Sequence, residues 1–244
     1  MRISVLLLFF PALVFAAFPT ERSSQTSQET SNTTTHTITL PATIESGDLL
    51  VVFSTIDNVT WNTFPAGWTQ RTSTDHGTYG CAVYVKVADG TEDSTTLSPT
   101  TIGNEISTSV ALAIQDWDGT LSTGEEISSA ATGTSSSPDP PSLTAASGGT
   151  ADRMWWALIG YHDGRLNSTS SYSLPDNNQE IRHTTSSQGT ATSVSSDELT
   201  GVTQNPGAAT LSGSEDWCAY TYVVEPAAAS GLTIPIAVDH ARRR

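Results

Sequence analysis

Apolar and polar residues alternate along most of the chain, a pattern typical of β-strands. In the segment that ends at residue 87, Val83, Val85 and Val87 share one face. After residue 20 no segment keeps the apolar repeat of an amphipathic helix. We therefore predict an all-β protein. The segments with strand-like patterns are residues 36–40, 48–56, 82–87, 106–114, 155–161 and 217–224.

Turn-forming residues separate these segments. They are Pro65-Ala66-Gly67, Asp75-His76-Gly77, Asp89-Gly90, Asp118-Gly119, Asp163-Gly164 and Asn205-Pro206-Gly207. Gly, Pro, Asn and Asp favour turns because they adopt or stabilise the required backbone angles. Their spacing predicts a β-sandwich or a jelly roll, in which each strand is followed by a turn.

The two halves of the chain resemble each other. Ser46-Gly47-Asp48 and Thr150-Ala151-Asp152 each open an apolar strand, and Glu105 and Glu215 precede two further strands. These pairs are about 104 and 110 residues apart, which suggests an internal duplication. Two arrangements follow: two related sandwich lobes side by side, or one sandwich with a sheet's worth of strands from each half. We favour the first.

These patterns divide the chain into six parts. They are a signal-like apolar segment or mis-assigned start (1–17), a polar, extended or mobile lead-in (18–35), a first β-sandwich lobe (36–134), a Pro/Ser-rich linker or extended edge segment (135–150), a second lobe (151–226) and a C-terminal tail (227–244). The first segment has the layout of a secretory signal peptide. It is interpreted as a cleaved signal, an uncleaved apolar peg or a start placed upstream of the true one. The tail is interpreted as a frayed end or a docking peptide.

Charge and composition narrow the classes of partner. The formal net charge is −15, Lys86 is the sole lysine, and Ser and Thr make up about 29% of the residues. Such an acidic chain repels phosphates, and Arg242, Arg243 and Arg244 form its one basic cluster. We therefore expect no nucleic-acid partner.

Two cysteines lie in predicted strands. Cys81 and Cys218 either form a disulfide or remain buried free thiols, and the sequence leaves both open. Neither belongs to a Cys-x-x-Cys pair, so a zinc site is not expected.

Acidic turns are the candidates for a metal site. Asp89, Glu92 and Asp93 lie in one turn, and Asp116 and Asp118 lie in another. Carboxylates at loop tips are suitable calcium ligands, although neither turn has the spacing of an EF-hand loop. The alternative is an acidic, solvated hairpin. We expect no other cofactor.

Tryptophans are the candidates for a contact or sugar-stacking surface. Trp61 and Trp68 flank the turn at residues 65–67. Trp155 and Trp156 are adjacent, so they point to opposite faces of one strand. At least one of that pair should pack between lobes, contact another subunit or provide a platform for a sugar ring.

No catalytic pattern is present in the sequence. The histidines are scattered at positions 36, 76, 162, 183 and 240, and no serine lies in a Gly-x-Ser-x-Gly elbow. We therefore predict that the protein is not an enzyme. A hydrolase would require an acid pair that the sequence does not identify.

Several segments resemble a β-rich protein family of tailed bacteriophages and of prophages in aquatic bacteria. The similar segments are residues 46–53 (SGDLLVVF), 64–70 (FPAGWTQ), 84–92 (YVKVADGTE), 131–133, 138–143, 214–217 and 224–226. The resemblance covers most of residues 18–226. It implies a virion structural protein on the capsid or tail exterior.

We therefore expect a decoration, fibre or spike-like component that contacts other virion proteins, copies of itself and a host-surface glycan. The alternative is a secreted carbohydrate-binding β-sandwich, with Trp155 or Trp156 as the stacking platform and calcium held by an acidic turn.

Overall fold

The computed structural model describes residues 17–58, 60–76, 78–162, 166–168, 179–184 and 189–228. In chain order the strands are β1 (Thr20–Thr35), β2 (Ile38–Thr39), β3 (Leu49–Asp57), β4 (Trp61–Thr63), β5 (Thr69–His76), β6 (Tyr79–Val87), β7 (Thr96–Leu97), β8 (Thr100–Gln115), β9 (Glu125–Ile127), β10 (Ala131–Ser135), β11 (Leu143–Thr144), β12 (Asp152–Tyr161), β13 (Leu166–Ser168), β14 (Gln179–Thr184), β15 (Gly189–Thr200), β16 (Thr203–Gln204), β17 (Thr210–Leu211) and β18 (Glu215–Val224).

The prediction of an all-β protein is confirmed. Every regular element within the described ranges is a strand, and these ranges hold no helix with the length and apolarity needed to cross a membrane. Residues 1–16 and 229–244, which include the apolar N-terminal segment and the arginine-rich tail, lie outside the described residues, as does the Asp163-Gly164 turn.

Two six-stranded antiparallel sheets form the body of the protein. The first sheet has the order β1-β8-β3-β6-β5, and β4 also pairs with β8. The second sheet has the order β10-β18-β12-β15-β14, and β9 also pairs with β18. Three two-stranded pairs, β2–β7, β11–β16 and β13–β17, lie outside these sheets.

One hydrophobic core lies between the two sheets. Val51 and Phe53 of β3 belong to the same buried cluster as Trp156 and Leu158 of β12. Each half of the chain thus forms one sheet, and the two lobes face each other across a shared core. This is the second of the two arrangements considered from the sequence, not the favoured side-by-side pair, because each sheet buries its inner face against the other.

The outer faces of the central strands are covered as well. Leu50 and Val52 of β3 pack in a cluster with Ile38 of β2 and Leu97 of β7. Trp155 of β12 packs in an equivalent position on the second sheet, in a separate cluster. Strands buried on both faces have apolar residues at successive positions, which explains the continuous run in residues 48–56.

The topology supports the internal duplication. In each sheet a central strand (β3 or β12) pairs with the strand of a following hairpin (β6 or β15) and with the last long strand of its half (β8 or β18). The short pairs β2–β7 and β11–β16 occupy corresponding places in the chain order. Just beyond β8 and β18, a bridge pairs Trp117 with Pro226.

Two boundaries differ from the expectation. Residues 20–35, expected as a lead-in, form the edge strand β1 and pair with β8. The polar sequence of β1 has no apolar alternation that would indicate a strand. An edge strand can form without one, because it gains backbone hydrogen bonds without needing an apolar face. The strands β9 and β10, expected in the first lobe, pair with β18 in the second sheet. The stretch that follows β10 is the extended alternative: Ser136 and Pro138 accept backbone hydrogen bonds of 2.8 Å from Leu211 and Ala209.

Candidate functional site

A disulfide between Cys81 of β6 and Cys218 of β18 joins the two sheets. The Cα atoms of the two residues are 6.6 Å apart, within the range that disulfides span. Of the two alternatives left open by the sequence, the structure therefore has the bonded one. The bond crosses the shared core and ties the first half of the chain to the second.

Buried hydroxyl groups provide a second connection between the sheets. The Thr55 Oγ1 atom lies 2.8 Å from Thr108 Oγ1, 2.7 Å from Thr190 Oγ1 and 2.8 Å from Thr192 Oγ1. Thr55 and Thr108 belong to the first sheet, and the other two threonines belong to β15 of the second. Hydroxyls both donate and accept, so each of the four groups has a hydroxyl partner. Sequence reasoning did not single out this cluster, because four threonines among so many carry no signal.

The first acidic turn uses its carboxylates to hold its own backbone. The Glu92 carboxylate accepts hydrogen bonds from Lys86 Nζ at 2.6 Å and from the backbone amides of Asp89, Gly90 and Thr91. Burial raises the pKa of Glu92, but these hydrogen bonds outweigh it and leave the pKa below its usual value. The Asp93 carboxylate accepts from the Ile44 amide at 2.6 Å. Glu92 and Asp93 are therefore engaged by the protein itself.

The second acidic turn joins the ends of β8 and β18. The Asp116 carbonyl accepts from the Ala227 amide, and the Asp118 amide donates to the Glu225 carbonyl, both at 3.0 Å. In the described part of the chain no group of three or more His, Cys, Asp or Glu side chains is placed to hold a metal ion. The calcium prediction thus gains no support from either turn.

Four cationic side chains are each paired with a buried carboxylate, in the part of the chain whose side chains the structure describes. The pairs are Arg22–Asp48 at 2.7 Å, Arg71–Glu125, Lys86–Glu92 at 2.6 Å and Arg153–Glu225 at 2.7 Å. The described surface therefore has no unpaired cation to offset its exposed carboxylates. Such a surface repels phosphate groups and anionic polymers.

His36 makes a serine contact, but not one that activates a nucleophile. Its Nδ1 atom lies 2.8 Å from Ser107 Oγ and its Nε2 atom lies 3.0 Å from Thr101 Oγ1. A Ser-His-Asp triad needs a carboxylate on the second ring nitrogen, and here a hydroxyl occupies that position. Burial lowers the pKa of His36 to about 4, so the ring is neutral at pH 7. The histidine holds the segment after β1 against β8.

Two buried carboxylates lie close enough to influence each other. Burial raises the pKa of Glu105, and the charge of Asp57 raises it further. His162 Nε2 lies 3.3 Å from Asp57 Oδ1. Sequence reasoning missed this group, because its members come from three strands or strand ends. These residues give the hydrolase interpretation a specific set of side chains to test.

Trp155 and Trp156 do not form a sugar-binding platform. Both side chains are 0% exposed. Trp156 lies in the core between the sheets, and Trp155 packs under Leu143, Ala145 and Leu199 on the outer face of the second sheet. Of the three roles considered for this pair, Trp156 therefore has the first, packing between the two sheets, and Trp155 is covered by segments distant in sequence.

The remaining aromatic candidates lie together on the outer face of the first sheet. Trp61 is buried there with Tyr84, and the partly buried Phe64 and Trp68 pack against them. The Phe64 ring stacks on Tyr84 with centroids 3.7 Å apart and meets Trp68 edge-on at 5.5 Å. We call residues 64–68, with Phe64 and Trp68 at the two ends, the aromatic turn. Of the four tryptophans considered from the sequence, Trp68 is the one that is only partly buried.

Comparison with known proteins gives no match: no protein-family description, no curated protein and no solved structure is similar to this chain.

Proposed function

We propose that the protein is a structural component of a bacteriophage particle, located on its exterior and acting through contacts with other virion proteins and with copies of itself. It is proposed as a non-enzymatic decoration, fibre or spike-like component. The segments that resemble the phage family motivate this assignment.

The observation that carries the proposal is the edge strand β1. It is 16 residues long, pairs on one side with β8, and has no strand partner on its other side within the described ranges. The unpaired backbone groups of an edge strand are a template for pairing with another chain. In β1 the side chains are almost all polar, so the strand remains soluble when it is not paired.

Three other features support a structural role on the particle exterior. The two halves are cross-linked by Cys81–Cys218, and disulfides persist in oxidising, extracellular surroundings. Both faces of the central strands are covered, so the sandwich is a durable building unit. The described cations are paired internally, which supports protein or glycan partners over nucleic acid.

Co-sedimentation with purified particles tests the proposal. We expect the protein to band with intact particles in a density gradient and to be removed by protease before the particle opens. Recovery only as a soluble secreted monomer would contradict the virion assignment.

Charged substitutions on β1 test whether its free edge pairs with another chain. Asn32 and Thr34 are exposed on this strand, and Asn32→Glu with Thr34→Glu places like charges on neighbouring edges. We expect the double variant to fold normally and to lose self-association and incorporation into particles. Ala208→Glu, an exposed position in the second half, is the matched control and should retain both.

The second candidate is a secreted carbohydrate-binding module. Trp155 and Trp156 are buried, so they cannot be the stacking platform expected for such a module. The partly exposed aromatic turn is the observation that supports this second candidate.

A further inference from the structure

Trp68 differs from the other tryptophans of the chain. Five of the six are buried, with exposures of 8% or less: Trp61, Trp117, Trp155, Trp156 and Trp217. Trp68 is only half-buried, and so is Phe64 at the other end of the aromatic turn. Aromatic side chains are large and apolar, so two partly exposed rings side by side indicate a contact site.

The aromatic turn is held in one geometry. Phe64 stacks on Tyr84 with an interplanar angle of 8°, and the Tyr84 hydroxyl donates to Gln70 Oε1 at 3.1 Å. The Trp68 amide donates to the Pro65 carbonyl at 3.4 Å. Gly67 has φ 89°, a conformation that favours glycine. A preorganised turn loses little conformational entropy on binding.

The segment that contains the turn is polar but uncharged. Residues 60–70 contain no charged side chain, in a chain with a net charge of −15. The exposed residues beside the two rings are Asn62, Thr63, Thr69 and Gln70. Their amides and hydroxyls both donate and accept hydrogen bonds. This combination suits a neutral ligand that carries many hydroxyl groups and also has an apolar face.

We infer that the aromatic turn is a glycan-binding subsite for one neutral sugar ring. The C–H face of the ring packs against Trp68 and Phe64, and its hydroxyls bond with Asn62 and Gln70. A charged peptide fits less well, because residues 60–70 offer no ion-pair partner. The inference goes beyond the structural role, since it holds for the protein free in solution as well as on a particle.

Binding to neutral oligosaccharides tests the inference. The purified full-length protein is applied to an array of oligosaccharides built from hexoses and N-acetylhexosamines, and the dissociation constant of the best-bound member is measured by calorimetry. We expect Trp68→Ala to weaken that binding at least about tenfold, which corresponds to about 1.4 kcal/mol. Trp68→Phe keeps an aromatic face and should bind within about threefold of the natural protein.

Ile102→Ala is the matched control, because Ile102 is an exposed apolar side chain (68%) on the same sheet. It should bind as the natural protein does, and all three variants should keep their thermal midpoint within a few degrees. Absence of binding to every neutral glycan would overturn the inference, as would unchanged binding by Trp68→Ala. Neither result would affect co-sedimentation with particles, so the inference and the proposed function fail separately.

Discussion

The outer faces of the two sheets differ in how completely their aromatic side chains are covered. On the second sheet, Trp155 lies under Leu143, Ala145 and Leu199 and is fully buried. On the first sheet, the aromatic turn lies over Trp61 and Tyr84 and keeps part of Phe64 and Trp68 in solvent. Because the sheets have the same strand order, this difference comes from the covering segments. One half fully covers the tryptophan on its outer face, and the other leaves Trp68 partly exposed.

The ion pairs of the two halves also differ in burial, and the more buried pair lies in the second half. Arg153 of the second half is 0% exposed and bonds to Glu225, to the Ser147 hydroxyl and to backbone carbonyls. Arg22 of the first half pairs with Asp48, but its side chain is 20% exposed. Of these two arginines, the one in the second half is therefore the more completely buried.

The largest expected effect comes from removing the bond between the halves. Cys81 and Cys218 are 137 residues apart in sequence, so their bond restricts a long loop of the unfolded chain. The double substitution Cys81→Ala with Cys218→Ala should lower the free energy of unfolding by about 4 kcal/mol. Urea denaturation with and without reductant measures it. A reductant effect that persists in the double variant would contradict the assignment.

Truncating one tryptophan on each outer face measures how much each covered ring contributes to stability. Trp155→Ala leaves a cavity under covering residues and should cost about 3–4 kcal/mol. Trp68→Ala removes a half-exposed ring and should cost about 1 kcal/mol. Thermal and urea denaturation of the two variants give the difference. Equal losses would show that the aromatic turn serves mainly to cover the sheet.

Substituting the two arginines should produce unequal losses. Arg153→Met leaves Glu225 buried without its partner and should cost about 3 kcal/mol. Arg22→Met breaks a more solvated pair and should cost about 1 kcal/mol. The measurement is the free energy of unfolding in urea at neutral pH. A larger loss of stability for Arg22→Met than for Arg153→Met would contradict this expectation.

A methyl group at Gly160 tests how closely the halves approach. A Cβ there would lie 2.5 Å from Thr55 Cγ2 and 2.6 Å from Cys81 Sγ, both on the opposite sheet. Gly160→Ala should therefore cost about 2–3 kcal/mol through overpacking. At Gly201 a Cβ would meet only the end of the Gln204 side chain, at 3.0 Å. Gly201→Ala is the control, and its midpoint in urea should barely change.

A pH dependence that belongs to the first half is expected to be smaller than the losses at Trp155, Arg153 and Gly160. Burial lowers the pKa of His36 from 6.5 to about 4, so between these values the unfolded chain binds a proton that the folded chain excludes. The free energy of unfolding should fall by about 2 kcal/mol as the pH decreases through this window. His36→Gln does not titrate and should show a flatter profile. Identical pH profiles would contradict the burial of a neutral imidazole.

The strands of the core could be predicted from the sequence, but their partners could not. The alternation at Val83 and Val85 and the apolar run before residue 57 correctly located β6 and β3. Local patterns cannot show that β11, more than ten residues before Trp155, covers that side chain. The same limit applies to β1, whose polar sequence gives no sign that it joins a sheet.

The candidate site was predicted in part. Trp61, Trp68 and the turn between them were singled out, and the structure places them together with Tyr84. The pairing of Cys81 with Cys218 depends on how the two sheets face each other, which residue spacing does not encode. For the adjacent indoles at residues 155 and 156, the sequence left packing between lobes, a subunit contact and a sugar platform open. It could not decide among them, because the segments that cover both faces of β12 are distant in sequence.

Hydroxyl-radical footprinting of the native full-length protein tests the difference between the outer faces most directly. Mass spectrometry then reports the oxidation rate of each tryptophan. We expect Trp68 to be oxidised several times faster than Trp155 and Trp156, and to become protected when a neutral glycan is bound. Oxidation of Trp155 at a rate equal to that of Trp68 would contradict the account, because the two halves would then present equivalent outer faces.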